Sequence, residues 1–234
     1  MSFTYTLAVL TDGKAKTLPG ALAAFAEFAE PRPAEVVVFA DAVEDVEVVV
    51  GAVRGQLPDV EDPALIATHP SRRNGFCEAT RRLWQRSRDA GPPYVFWLEH
   101  DFELVRPTNI EQMAGVLRQR PKIAQMSLIR GPANDHEARA GGLVASRPGI
   151  FQIREDVVAP FVVRWLEHAA YLTTNPSLMS VDFMLRNPWP PYGEQCEGKF
   201  GIDLINAGYS FGAWGSGEEW VKHTGARDGS GRGY

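Results

Sequence analysis

The stretch Tyr94-Val95-Phe96-Trp97-Leu98-Glu99-His100-Asp101-Phe102 joins an unbroken apolar run to two carboxylates with one residue between them. Such a run reads as a buried strand that delivers its acids to the edge of a sheet. Alternate residues of an extended chain point the same way, so Glu99 and Asp101 are expected on one face and His100 on the other. One carboxylate of the pair can hold a divalent cation while the other reaches a ribose or a water.

On the N-terminal side, Gly91-Pro92-Pro93 stops a helix predicted over about 76–90, whose Phe76, Ala79, Leu83 and Ala90 line one face. The polar connection Ser71-Arg72-Arg73-Asn74-Gly75 precedes it, after a short strand at Leu65-Ile66-Ala67-Thr68. Further upstream, Phe3 to Leu10 reads as a strand running into the turn Thr11-Asp12-Gly13, followed by a helix through Leu22, Phe25, Ala26 and Ala29. Val36 to Phe39 forms a second strand closed by Asp41, and Asp45 to Arg54 keeps helical spacing despite its β-branched valines. Downstream, Thr108 and Glu111 have the spacing of a capping box, and Ile123 to Ile129 is another strand.

Strands alternating with helices predict an α/β fold with a mostly parallel central sheet flanked by helices. Ligands of such sheets bind outside the carboxyl ends of the strands, which places Thr11, Asp12, Asp41, Arg73, Asn74, Glu99 and Asp101 on one rim. Residues 131–154 are polar and are expected to loop over that rim. The segment 157–172 fits either helix or strand, and Thr173-Thr174-Asn175-Pro176 and Trp189-Pro190-Pro191 are turns. No internal repeat is visible.

At 234 residues with 44% hydrophobic and 23% charged residues, the chain suits a single domain over 1–234. It divides into a first half (1–130), a second half (131–224) and a Gly-rich, charged tail (225–234) expected to be mobile until something binds. A net charge of -5 gives no global attraction to nucleic acid or anionic membrane, so such a partner would need a local basic surface. Arg72, Arg73, Arg81, Arg82, Arg86 and Arg88 offer one, as a solvated helix face or as a phosphate track. Cys77 and Cys196 lie far apart and follow no metal-ligand spacing, so reduced thiols are expected. No run approaches the roughly 18 apolar residues of a membrane span, and the N-terminus has no signal-peptide pattern; the expectation is a cytoplasmic protein with no membrane partner.

The chain resembles the GT-A class of nucleotide-sugar glycosyltransferases. The resemblance rests on Asn74-Gly75 opening a helix and on Glu99-His100-Asp101, a variant of that class's Asp-x-Asp motif. It also rests on the acidic segment Gly193-Glu194-Gln195-Cys196-Glu197-Gly198-Lys199-Phe200-Gly201-Ile202-Asp203, and on Trp220-Val221-Lys222-His223-Thr224-Gly225. It spans most of the chain, making 1–130 the nucleotide-sugar-binding half and 131–224 the acceptor and catalytic half, and is nearest to compact phage-encoded members that modify DNA bases or virion proteins. By that resemblance Asp101 binds Mn²⁺ or Mg²⁺ bridging the two phosphates of a UDP-sugar, and His223 returns as a second ligand. Thr11, Asp12 and Gly13 hold the uracil and ribose, unless Asp-Gly is a plain turn. Asp41 lies on the same rim, and Glu99 stands where many relatives carry Asp, as a ribose or water contact.

Arg73, Asn74 and Gly75 open a helix whose amides favour negative charge, so diphosphate or donor sugar is expected there; Asn74 is equally a good N-cap. Glu197 is the candidate general base, with Glu194 and Asp203 behind it, and a salt bridge to Lys199 is its ordinary alternative. Trp165, Trp189, Trp214 and Trp220 fit a core or a stacking surface. The implied activity is metal-dependent transfer from a UDP-sugar to a hydroxyl. The first acceptor is a 5-hydroxymethylpyrimidine such as 5-hydroxymethylcytosine in DNA, in a host cytoplasm if the protein is phage-encoded, and the second is a virion or other protein hydroxyl. A nucleotidyltransferase and a non-catalytic nucleotide-sugar-binding module are the rivals.

Overall fold

The computed structural model describes residues 3–12, 17–60 and 62–225. Its first half runs β1 (Thr6–Thr11), α1 (Leu18–Phe28), β2 (Ala29–Glu30), β3 (Glu35–Ala40), α2 (Val46–Gln56), β4 (Ala64–Ala67), α3 (Phe76–Arg88) and β5 (Tyr94–Glu99). Then come β6 (Phe102–Leu104), β7 (Thr108–Asn109), α4 (Ile110–Gln119), β8 (Ile123–Ser127) and α5 (Asp135–Ala140). The chain closes with β9 (Gln152–Val158), β10 (Phe161–His168), β11 (Ser177–Ser180), α6 (Val181–Arg186), α7 (Cys196–Asn206), β12 (Ser210–Trp214) and β13 (Val221–His223).

Nine strands form one sheet in the order β4-β3-β1-β5-β11-β8-β12-β10-β9. The expected α/β architecture holds, and β4, β3, β1 and β5 are parallel throughout. The second half makes the sheet mixed, because β11 runs antiparallel to both β5 and β8, and β10 antiparallel to β12 and β9. The ambiguous segment 157–172 belongs to the β9–β10 hairpin. β10 ends at the side of the sheet away from the rim, where His168 pairs with Phe211; the chain then crosses the face under α3 and α7 through Leu172, and β11 starts from the rim side, so it runs against β5.

Side-chain alternation along β5 explains the two-sided core. Phe96 and Leu98 pack with β1 residues Leu7 and Val9 under α1, α2 and α4. Val95 and Trp97 face the other way, with Leu83 and Trp84 of α3, Phe183 of α6 and Phe200 of α7. A strand buried on both faces needs an apolar residue at every position, which is why Tyr94 to Leu98 shows no polar alternation.

Three local readings are corrected. Asn109, not Thr108, caps α4 by accepting from the Gln112 amide at 2.9 Å, while the Thr108 hydroxyl donates to the Arg106 carbonyl. Gly75, at φ +75°, precedes α3 in place of Asn74, in a backbone conformation that costs glycine nothing. Cys77 and Cys196 are joined in a disulfide rather than reduced. Their 119-residue separation hid a pairing made possible because α3 and α7 cover the same face of the sheet.

Residues 131–150 are pinned through Glu137. Its buried carboxylate accepts from Arg130 at 2.7 and 3.2 Å and from the Ala133 amide at 2.7 Å. The Arg130 hydrogen bonds, outweighing burial and helped by the Ala133 amide and Arg147, lower its pKa to about 2. Glu137→Ala should cost about 3 kcal/mol in urea unfolding, because it strands the half-buried Arg130. The carboxylate's contribution is complete above the ordinary glutamate value of 4.5 and fades as pH falls toward 2. Across that window the parent protein should lose more stability than Glu137→Gln; equal acid sensitivity would contradict the assignment.

Candidate functional site

The carboxyl ends of β1, β3 and β5 bring the predicted acids to one rim. Strand alternation carries Glu99 to the face of Val95 and Trp97, toward α7. The strand stops there, and His100-Asp101 turns the chain into β6. The expected shared face for Glu99 and Asp101 therefore gives way to two different neighbourhoods.

Asp101 meets His223. The two-stranded β6–β13 sheet pairs Phe102 with His223, and Thr224 donates its amide and hydroxyl to the Asp101 carbonyl at 2.7 and 3.1 Å. These contacts set His223 Nε2 at 3.1 Å from Asp101 Oδ2, with side-chain exposures of 23% and 15%. Burial favours the neutral acid, but the His223 hydrogen bond and the fields of His100 and His223 hold Asp101 below the usual carboxylate range. Its other oxygen, Oδ1, is buried and meets no donor among the described residues. A free carboxylate oxygen beside an imidazole nitrogen suits a divalent cation that completes its shell with phosphate oxygens and water. Among the described residues no cluster of three acid, histidine or cysteine ligands exists, so of these residues only the two would serve as ligands.

Asp12 follows β1 and is buried between His100 Nε2, 3.2 Å from Oδ1, and Arg73 Nη2, 3.8 Å from Oδ2. The Thr11 hydroxyl beside it is buried with no partner among the described residues, and Gly13 lies outside them. Asp41 carries four internal hydrogen bonds. Its Oδ1 accepts from the Thr68 hydroxyl at 2.6 Å and from the Asn74 amide and side chain at 2.9 and 3.1 Å, and its Oδ2 accepts from the Gly75 amide at 2.9 Å. Burial pushes its carboxyl up, yet these donors together hold it below the ordinary aspartate value. Asp41 thus fixes the connection into α3, and Asn74 is spent on Asp41 rather than on capping.

Glu197, in the first turn of α7, is the third acid at the rim. It accepts from the Thr174 amide and, at 3.1 Å, from the Thr174 hydroxyl. Burial raises its pKa, and these bonds with one from Thr173 offset that only in part. Glu99 is buried on the same side and touches Thr174. Burial drives its carboxyl well above the ordinary value, and repulsion from Asp101 and Glu197 adds to the shift. Glu194 is exposed, and Asp203 lies exposed on α7, accepting from the Tyr192 hydroxyl. Neither is joined to this acid group by a contact among the described residues.

Sequence reasoning did not find Thr174 or His100. A threonine in a turn between strands has no motif, and His100 was recognisable only as the residue facing away from its acidic neighbours. The arginine helix is partly neutralised, since Arg81 pairs with Glu78 at 2.6 Å and Arg88 with Asp89 at 2.8 Å. Arg72 and Arg82 instead line an open cleft of about 600 Å³ with His69, Ser71 and Asn74. Trp165, Trp189 and Trp214 are core residues, and Trp220 lies half-buried beneath the Arg106 guanidinium.

No protein-family model matches the sequence, and no curated protein matches it. Solved structures do match. Staphylococcus aureus TarS in complex with UDP aligns over 96% of this chain and 61% of its own, at 12% identity and TM-score 0.63. The fold is GT-A. The mannosyltransferase PcManGT from Pyrobaculum calidifontis, in complex with GDP-Man and Mn²⁺, aligns over 98% of this chain and 59% of its own, at 15% identity and TM-score 0.59. GalNAc-T7 with UDP, GalNAc and Mn²⁺ aligns over 97% and 45%, at 12% identity and TM-score 0.65. At these identities the likeness is one of fold. The chain spans less than two thirds of each of these neighbours' own length. Among the described residues, no helix is long and apolar enough to cross a membrane.

Asp101→Ala should abolish manganese-dependent binding of UDP in calorimetry while the thermal transition of the protein persists. Unchanged affinity would remove Asp101 from any metal site. Asp41→Asn turns one acceptor oxygen into a donor facing the amides it now receives. It should lower the unfolding free energy by about 1–3 kcal/mol.

Proposed function

We propose that the protein is a metal-dependent glycosyltransferase that moves a sugar from a UDP-sugar to a hydroxyl acceptor. The observation that carries this reading is the Asp101 oxygen that has no partner among the described residues, beside His223 on the rim that also holds Glu197. The GT-A fold supports it, as do the nucleotides and manganese named in the neighbouring structures.

Asp101 and His223 would hold Mn²⁺ or Mg²⁺, which when bound supplies positive charge to the departing diphosphate. Thr11, Asp12 and Arg73 would contact the uridine and its phosphates. Asp41 and Glu99, buried among their own partners, would shape that pocket together with Asn74 and Gly75. Glu197 would take the proton from the acceptor hydroxyl as its oxygen bonds to the anomeric carbon. The bond from that carbon to the diphosphate oxygen breaks, its electron pair leaving with UDP, which inverts the centre. Burial suits Glu197 to this role by strengthening it as a base.

A 5-hydroxymethylpyrimidine such as 5-hydroxymethylcytosine in DNA is the acceptor proposed first, because Arg72, Arg82 and His69 line a cleft able to take a phosphate backbone. A virion or other protein hydroxyl is the alternative, in keeping with the net charge of -5. Nucleotidyl transfer, or nucleotide-sugar binding without turnover, would leave the Glu197 base without a task.

UDP release from a panel of UDP-sugars tests the class, and the mass gain on hydroxymethylated duplex or on virion protein separates the acceptors. Turnover of nucleoside triphosphates without sugar transfer would refute the proposal. Glu197→Gln should cut kcat by about 10²-fold or more with donor affinity kept. Glu197 acts ionised and its pKa is raised, so activity should fall on acidification at a pH above the ordinary glutamate range. A profile flat to pH 4.5 would point to a different base.

A further inference from the structure

Just after β13, Gly225 lies directly against the Asp101–His223 pair. A Cβ at this position would stand closer than 3.0 Å to Asp101 Oδ2 and 3.1 Å from His223 Cε1. Non-bonded heavy atoms settle at about 3.5–4.0 Å, so the space that any side chain would need here is already filled by the two groups of the pair. The backbone itself does not demand glycine, because its φ lies outside the left-handed region. The demand is one of space. By contrast, a Cβ at Gly51 or Gly55 on α2 would meet nothing within 4 Å.

We propose that Gly225 is a positioning residue whose missing side chain allows the Asp101 carboxylate to stand against the His223 imidazole. The surroundings leave the carboxylate as the part that yields. Thr224 donates its amide and hydroxyl to the Asp101 carbonyl at 2.7 and 3.1 Å, which ties the backbone beside Gly225 to the residue that Gly225 crowds. His223 is paired with Phe102, whose ring packs edge-on against the imidazole with centroids 4.8 Å apart. A methyl group at 225 would therefore push Oδ2 away from His223 Nε2, which it now meets at 3.1 Å. The apolar clusters of the core would be untouched, since residue 225 lies beyond β13 and outside them. Changing the groups that orient metal ligands costs about 10–100-fold in metal affinity. That consequence for a divalent cation rests on the role proposed for Asp101 and His223; the steric dependence of the pair on Gly225 does not.

Crystal structures of the parent protein and of Gly225→Ala, both free of metal, test the steric claim. The expected result is an Asp101 Oδ2 to His223 Nε2 distance near 3.1 Å in the parent and beyond hydrogen-bonding reach in the variant. An alanine accommodated with the pair intact would overturn the proposal. In solution, manganese binding in the presence of UDP is read from the loss of the free ion's paramagnetic resonance signal. Gly225→Ala should bind manganese about 10–100-fold more weakly at an unchanged thermal transition. Gly51→Ala, where the added methyl meets no neighbour, should bind as the parent does. Equal affinity in the parent and Gly225→Ala would overturn the proposal, and so would a weakening that comes with a lowered thermal transition, the mark of a merely structural glycine. If the parent itself binds no manganese, the glycosyltransferase reading loses its metal, and the crystallographic comparison alone decides the role of Gly225.

Discussion

A carboxylate taken out of water must be repaid by a positive charge, by aimed N–H and O–H donors or by a proton, and the rim of this sheet is organised around that requirement. Asp41 is met by four donors, three of them from Asn74 and Gly75, and so becomes the anchor of the connection into α3. Asp12 is met by His100 and Arg73. Asp101 is met on one oxygen by His223, and the other is left without a donor among the described residues. Glu99 and Glu197 are met only in part, by the threonines of the Thr173-Thr174 turn, and burial pushes both toward the protonated form. One physical cost, settled differently at each position, separates anchoring acids from those available for chemistry.

The mixed topology puts those acids within reach of each other. A wholly parallel sheet would continue past β5 with another strand leaving toward the rim. Here β11 arrives from the rim, so the turn before it, Thr173-Thr174, lies over the end of β5. The small β6–β13 sheet does the same for His223, bringing a residue from the end of the described chain back to the turn after β5. The Cys77–Cys196 bond holds the first turn of α7, and Glu197 with it, to α3.

Much of the first half was legible because its signals are local. Apolar runs, Gly-Pro stops and helical spacing located β1, β3, β5 and α3, and strand-end acids located the rim. The second half was less legible. The valines and aromatic residues of 157–168 fit either periodicity until their pairing with β9 and β12 is known. Asn74 is a good cap in isolation, but the buried carboxylate of Asp41, just after β3, takes its donors instead. The reduced state expected of two distant cysteines failed for a similar reason, since sequence distance carries no information on which helices share a face.

By itself the sequence determined that an interior strand ends at Glu99, just before Asp101, because a run of apolar residues can be buried on both faces only in the middle of a sheet. It also determined that the loops of the first half reach the same edge, because parallel strands point their carboxyl ends one way. Only the tertiary structure decided what each acid faces. Partner choice at that edge depends on where the chain re-enters the sheet, through Thr174, Glu197 and His223, residues that lie more than 70 positions after Glu99 and Asp101.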